Sequence, residues 1–379
     1  MRKTLYALLI LPFISSICHA QDPAFSQFYN AKTYLNPATV GFEQGLSLAS
    51  NSRYQWIALD RGFVTHYAAI EKQEPSLIKK GAIGLAASVF QTTEGFSGYS
   101  RSGGSLTLNS IFGDEKTTLS GGFNLRWLQE RVDPSKFVFS DQLDPIFGDV
   151  LSSSFQPDYL IPRSFLDMDV GFLMRRQLKS IQRKGAIYKP MFAIGASMSN
   201  LLGFSDAAQN SFLLDNISGI KPRLCIHGGM EIPLKILKGV INEIIILPIA
   251  KLVSQGDQPF NLSSSLVQVN WGAYFIYNTL YLGAFLQSRN VVPDQRNTTS
   301  FVTAFGIAVP LANLKGSAEV QHKLFIGLSV DVNATALGSS TGNSFELAFR
   351  YNFGQVGNWF GRKKNKSTKN RVLNCYHFI

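Results

Sequence analysis

Residues 344–353 read SFELAFRYNF, and this stretch decides the fold. In an extended chain Phe345, Leu347, Phe349, Tyr351 and Phe353 share one face. Ser344, Glu346, Ala348, Arg350 and Asn352 share the other. A period of two, with large apolar groups on one side and polar groups on the other, belongs to a β-strand lying between two unlike media. The aromatic end suits the edge of a lipid layer. A half-buried strand of a soluble sheet also alternates, so recurrence has to discriminate. The pattern does recur. Leu119, Phe123, Leu125 and Trp127 oppose Thr118, Ser120, Asn124 and Arg126. Leu166, Met168, Val170, Phe172 and Met174 oppose Asp167, Asp169 and Arg175, and Leu324, Ile326, Leu328, Val330 and Val332 oppose Ser329, Asp331 and Asn333.

Working outward, such segments are predicted near 42–57, 62–73, 81–95, 99–113, 116–131, 164–177, 190–201, 220–234, 242–254, 259–276, 279–289, 299–310, 321–333 and 343–353. Together they predict an all-β protein, a transmembrane antiparallel β-barrel of about 14 strands over residues 42–353. Composition agrees. Charged residues are 16% of the chain, against roughly 25% in soluble proteins. The 45% hydrophobic residues are dispersed along the chain, and Phe occurs 29 times and Gly 32 times. Secreted β-sandwiches or a propeller form the soluble alternative.

The amino terminus adds a compartment. Arg2 and Lys3 precede an apolar run, 5–17, that is too short to span a bilayer as a helix. Cys18 and Ala20 are small residues at the two positions a signal peptidase reads, which predicts a leader over 1–20 and a mature start near Gln21. Ile17 is bulky for the slot before a lipidated cysteine and disfavours a lipoprotein. After the leader no run of about 18 apolar residues appears, so no helical stop is expected. The predicted location is the cell outer membrane, with outer-membrane lipid around the barrel.

An even strand number puts both termini in the periplasm. The two longest connections, 132–163 and 202–219, then face outward, and tight turns at 113–115 and 277–279 face inward. The stretch 178–188 is long for an inner turn and 58–61 is short for an outer loop. The chain carries +11. Lys79, Lys80, Lys179, Arg183, Lys184, Lys235 and Lys238 fall on the inner side, and Asp141, Asp144, Asp149, Asp158, Asp206 and Asp215 on the outer. A tail over 354–379 holds Arg362, Lys363, Lys364, Lys366, Lys369 and Arg371 with no acidic residue. It reads either as a solvated basic tail or as a periplasmic dock for an acidic partner. An exported membrane protein has no call for nucleic acid as a partner.

No catalytic constellation is present. His19, His66, His227, His322 and His377 are scattered, and the chain has no zinc-protease helix motif, no serine elbow and no P-loop. The spacing of Asp141, Asp144 and Asp149 does not match a calcium loop. Asp167 and Asp169 share a strand face beside Arg175 and read as paired lumenal charge. Gly121-Gly122 and Gly228-Gly229 lie in strands and mark bends or close backbone approach. Cys225 and Cys375 make no disulfide framework. The expectation is a non-enzyme without metal or cofactor.

Residues 21–41 are neither a strand nor charged enough for disorder. Phe25, Phe28, Tyr29, Tyr34 and Leu35 need cover, and Asn36-Pro37 is a turn signal. A plug or inner-rim lid would cover them; a short periplasmic arm before the first strand is the alternative. Phe25-Ser26-Gln27 with the aromatic pair Phe28-Tyr29, then Tyr34-Leu35-Asn36-Pro37-Ala38 and Gly41, resembles the start of the PorP/SprF family of type IX secretion system outer-membrane proteins. Asp141, Gln142 and Asp144 within 139–144 are similar to the family's aromatic-x-Asp-Gln-x-Asp stretch. Asp169-Val170-Gly171, the closing Arg350-Tyr351-Asn352-Phe353, the basic tail and the late Cys375 also resemble it, although Tyr376 stands where many members have proline. The resemblance implies a non-enzymatic barrel of gliding, Bacteroidota-type bacteria. Its implied partners are type IX secretion components and a secreted cargo protein with a C-terminal sorting domain, such as a gliding adhesin, which it helps to export or anchor. A channel for small or hydrophobic molecules, similar to fatty-acid transporters, is the other reading.

Overall fold

A computed structural model describes residues 24–43, 45–59, 62–75, 81–95, 98–114, 116–133, 138, 140–144, 146, 148–149, 153, 162–178, 181–183, 186–188, 190–204, 220–234, 244–262, 265–290, 298–311, 322–334 and 341–353. A closed 14-strand antiparallel barrel dominates it. In chain order the strands are β1 (Leu46–Gln55), β2 (Phe63–Pro75), β3 (Gly81–Thr93), β4 (Tyr99–Gly113), β5 (Thr117–Val132), β6 (Arg163–Gln177) and β7 (Met191–Ser199). Then follow β8 (Arg223–Met230), β9 (Ile244–Gln255), β10 (Leu266–Tyr277), β11 (Leu280–Asn290), β12 (Thr298–Leu311), β13 (His322–Asn333) and β14 (Ser344–Asn352). Each pairs with its neighbours in sequence, and β1 pairs with β14, Ser47 opposite Asn352 and Tyr54 opposite Phe345. Closure leaves no row of unpaired backbone groups facing lipid, the condition for a sheet to cross a bilayer. No helix among the described residues is long and apolar enough to cross.

The wall is inverted relative to a soluble protein. Leu106, Val89, Leu166 and Trp271 are more than half exposed on the outer face. Asn51, Asn109, Ser120, Asn124, Glu130, Ser329 and Glu346 point inward and are sealed from solvent. A polar lumen inside and hydrocarbon outside dictate that assignment, and a register slip of one residue would reverse it for a whole strand.

The connections 133–162 and 200–222 leave from the rim where β1 ends, here the long-loop rim. Tight turns close the opposite, short-turn rim. Between β4 and β5, Asp114 Oδ1 accepts from the backbone N–H groups of Lys116 and Thr117 at 2.9 and 2.8 Å. Between β10 and β11, Asn278 takes φ 54°, the left-handed region that asparagine tolerates.

Element boundaries differ from expectation at the first strand, which begins at Leu46 and not 42, and at three further places. The stretch 178–188, long for a turn, contains its own ribbon, Ile181–Arg183 against Ala186–Tyr188. The segment 220–234 breaks at Glu231, after which Ile232–Leu234 pairs with β9 alone. The segment 259–276 begins as strand only at Leu266, because a turn with Asn261 N–H on Gln258 O precedes it next to Pro259. The expected signal leader, Cys375 and the tail residues Arg362, Lys363, Lys364, Lys366, Lys369 and Arg371 lie outside the described residues.

Candidate functional site

Residues 24–43 run through the lumen from the long-loop half of the barrel to the short-turn rim. Phe25, Ser26, Gln27, Phe28, Tyr29 and Asn30 are all buried. Near the start, Ser26 and Gln27 donate their backbone N–H groups to Glu346 at 2.6 and 3.1 Å, and Ser26 Oγ donates to Asp331 at 2.8 Å. Arg53 joins the same cluster, with Asp331 at 2.5 Å and Glu346 at 3.2 Å. Asn30 bridges the β1–β14 seam: its Nδ2 donates to Ser50 O at 3.0 Å and Phe349 O at 3.2 Å, and Arg350 Nε donates to its Oδ1 at 3.0 Å.

A second charge cluster lies toward the short-turn rim. Lys32 sits 3.1 Å from Glu43 and 2.9 Å from Glu71, and Arg350 contacts both carboxylates. Burial pushes the Glu43 carboxyl up, but Arg350 and Lys32 outweigh it and hold the group well below the usual carboxylate range.

Asn36 is the hinge of the segment and is fully buried. Its Oδ1 accepts from Ala38 N–H at 2.9 Å, capping the 3₁₀ turn Pro37–Thr39, in which proline occupies the first position. Its Nδ2 donates to Phe172 O at 3.1 Å and Ala196 O at 3.2 Å and lies 3.0 Å from His227 Nε2. Strand glycines make room for this approach. A Cβ on Gly171 would lie 2.0 Å from Asn36 Oδ1, and one on Gly122 would lie 2.4 Å from Ala38 N. Asn109 and Ser120 then donate to Ala38 O at 2.9 and 2.7 Å. Leu35 O accepts from Ser197 at 2.8 Å, and Tyr34 O from Arg223 at 2.9 Å.

The aromatic residues cover the remaining lumen. Phe25 stacks edge-on against Tyr34 at 5.6 Å and packs by Tyr67 at 5.8 Å. Phe28 and Tyr29 face an apolar wall of Leu247, Ile249, Ile276, Tyr281, Phe285 and Phe325. Two cavities flank the segment. One of about 30 Å³ lies between Phe28, Tyr29 and that wall. The other, of about 50 Å³, lies toward the long-loop rim among Ala24, Phe25, Leu35, Arg223, Lys251, Gln268 and Arg289.

The structure thus gathers Phe25, Ser26, Gln27, Tyr29, Tyr34, Leu35, Asn36 and Pro37 in the lumen. It separates them from Asp141, Gln142 and Asp144, which belong to the connection between β5 and β6. There Ser140–Gln142 is a 3₁₀ turn, Leu143–Asp144 pairs with Gly148–Asp149, and Asp141 accepts from Ser153 Oγ at 2.8 Å. Asp167 and Asp169 do line the lumen as paired charge. Their described ion-pair partner is Arg126, at 3.2 and 2.9 Å, across the β5–β6 pair. Period 2 places Asp167, Asp169 and Arg175 on one face, but Arg175 is eight residues from Asp167 along an extended chain, whereas a cross-strand neighbour is about 5 Å away. Sequence reading missed Glu346, Arg53, Glu43, Glu71 and Arg350 as a group. Their only signal is that each is a charged residue on a polar strand face or at a strand end. Among the described residues no group of His, Cys, Asp or Glu could hold a metal ion.

A closed barrel, apolar outside and polar inside, with its leading residues fastened in the lumen, defines an outer-membrane β-barrel protein. The chain belongs to the PorP/SprF family of type IX secretion system membrane proteins, whose family model matches residues 17–351. No curated protein matches the chain. Solved structures with a similar overall form include a Pseudomonas aeruginosa FadL homologue, at 10% identity and TM-score 0.39, covering 84% of this chain and 93% of that one. The CymD monoaromatic hydrocarbon channel gives 10% identity and TM-score 0.39 over 85% and 92%. BamA from Haemophilus ducreyi lacking POTRA domains 1-3 gives 10% identity and TM-score 0.38 over 81% and 70%.

Proposed function

We propose that this barrel assists export or surface anchoring of one cargo protein carrying a C-terminal sorting domain, a gliding adhesin being the type, and that it has no enzymatic role. The observation that carries this reading is the lumen itself. Residues 24–43 cross it and are bound to strands on nearly every side. The described cavities, about 50 and about 30 Å³, are too small to pass a solute while the segment stays in place. Family membership supplies the secretion context. In this proposal residues 21–41 are a plug, and the long-loop rim faces outward and offers the connections 133–162 and 200–222 to the cargo. The strand β14 then ends at the periplasmic rim, where the basic residues Arg362, Lys363, Lys364, Lys366, Lys369 and Arg371 follow as a dock for an acidic secretion component. The described chain begins at Ala24, in the outer half of the lumen; the expected periplasmic amino terminus lies before the described residues.

Deleting the gene and comparing surface proteomes tests the proposal. Loss of one or a few large surface proteins is expected. An unchanged surface proteome with a defect in uptake of one nutrient would instead establish the channel reading. Truncation after Phe353 should leave the barrel assembled and weaken its capture of periplasmic secretion components. Failure to insert would assign the tail to folding.

A further inference from the structure

Several buried cations in this lumen are paired with carboxylates. Lys32, Arg53, Arg101, Arg126 and Arg350 each lie within 3.2 Å of a carboxylate. Lys251, which is buried, and Arg289, which is half-buried, differ from these. Lys251 is 5% exposed, and its Nζ sits 4.4 Å over the Phe28 ring. Arg289 reaches only the Gln287 amide, which accepts from Nε and Nη2 at 2.8 Å in the orientation that satisfies both. Neither makes an ion pair with a described residue. Both line the cavity of about 50 Å³, and Arg223 lines it beside them while donating to Tyr34 O.

No described acidic side chain lines this recess. Its polar side is completed by the Gln255 and Gln268 amides, and its apolar side by Phe25, Leu35 and Leu266. Lys251 is buried and Arg289 half-buried, and neither has a described carboxylate in ion-pair contact; a buried cation lacking such a contact is unfavourable, so the two on one cavity favour an anion there. Apolar walls on the other side select an anion that carries hydrocarbon. We propose that the recess binds a carboxylate on a short apolar stem, with its oxygens toward Lys251 and Arg289 and its stem against Phe25 and Leu266. A water molecule takes roughly 30 Å³ in the liquid, so the cavity takes the headgroup and a few stem atoms, and anything longer must extend toward the long-loop rim. The end of a polypeptide and a free small carboxylate share this chemistry. The site stands independently of the secretion reading, because binding is measured on the isolated barrel and not on the surface proteome.

The test is calorimetry on the mature protein in detergent, with N-acetyl-leucine, its amide, hexanoate, inorganic phosphate and a pentapeptide ending in leucine. N-acetyl-leucine is expected to bind at least tenfold more tightly than its amide. Lys251→Gln and Arg289→Gln should each weaken it at least fivefold, while Lys251→Arg stays within threefold. Compact migration on unheated gels confirms folding. Should Lys251→Gln fail to fold, Arg289→Gln and Lys251→Arg carry the comparison. A pentapeptide that outbinds hexanoate identifies a polypeptide end as the source, and the reverse identifies a free carboxylate; either ranking upholds the site. Equal binding of acid and amide, phosphate binding as tightly as N-acetyl-leucine, or wild-type affinity in Lys251→Gln overturns it. Asp22 is two positions before Ala24 in the chain. Asp22→Asn should leave the affinity unchanged, and binding that emerges only in that variant overturns the proposal, since the chain's own carboxylate would then be the occupant.

Discussion

Glu346 shows how much one side chain can hold in this protein. It is fully buried and accepts from two backbone N–H groups of the lumenal segment, from Asn51 at 2.7 Å and from Arg53. Glu346→Gln removes the charge opposite Arg53 and turns an amide NH₂ toward donors. Breaking a buried ion pair on one side costs about 3–5 kcal/mol, with Asp331 offsetting part of it here. The variant should therefore lose compact gel migration at a lower temperature than the wild type, and thermolysin should cut near Phe25 and Phe28. Glu43 gives a pH dependence. Its folded pKa is depressed below the ordinary 4.5, so its contribution is present above that value and is lost as pH falls through the folded pKa. Acidification below about pH 4.5 should thus loosen the segment, measured as pepsin cleavage within 24–43, and Glu43→Gln should flatten that acid limb. Neither role could be read from the sequence. Period 2 marks Glu346 and Arg350 as polar-face residues, but their partners are fixed by closure across the β1–β14 seam.

At the scale of elements, the sequence was most legible where a single variable, inside or outside, controls residue choice. Each predicted segment overlaps a barrel strand, because lipid and lumen impose opposite chemistry on alternate positions. The errors fall at strand ends, where the wall no longer separates two media: Phe42 leaves the expected first strand to lie under the Arg175 guanidinium, 4.8 Å from its ring centroid, and Pro259 delays β10. Gly121-Gly122 was legible as close approach, but which neighbour approaches was not. The pair supplies a controlled experiment. A Cβ on Gly121 meets nothing within 4 Å, whereas one on Gly122 meets Ala38 and Pro37. Gly122→Val should leave the barrel folded while exposing residues 36–41 to proteolysis, and Gly121→Ala should behave as wild type.

For the whole molecule, stability and permeability separate. The outer face answers to lipid alone. Leu106 is 66% exposed near the middle of β4, and Leu106→Arg should destabilise the barrel by about 2–4 kcal/mol in reversible unfolding from vesicles. The lumen answers to residues 24–43. Deleting 24–41 should convert a barrel that is quiet in planar bilayers into one with steady ionic conductance, with strand content by circular dichroism preserved.

Ser26 and Glu346 are 320 positions apart in the chain, and Asn30 meets Arg350 at the same separation. The lumenal residues that precede β1 therefore depend on the last strands. They cannot be seated when they are made, nor when β1 forms, but only after β13 and β14 have arrived and the seam has shut. Long-range contacts of this kind form late because their loop closure must come first. Fastening of the leading residues is thus a record of completed assembly: a barrel that stalls with its seam open keeps its amino-terminal aromatics uncovered, and only a finished one conceals them.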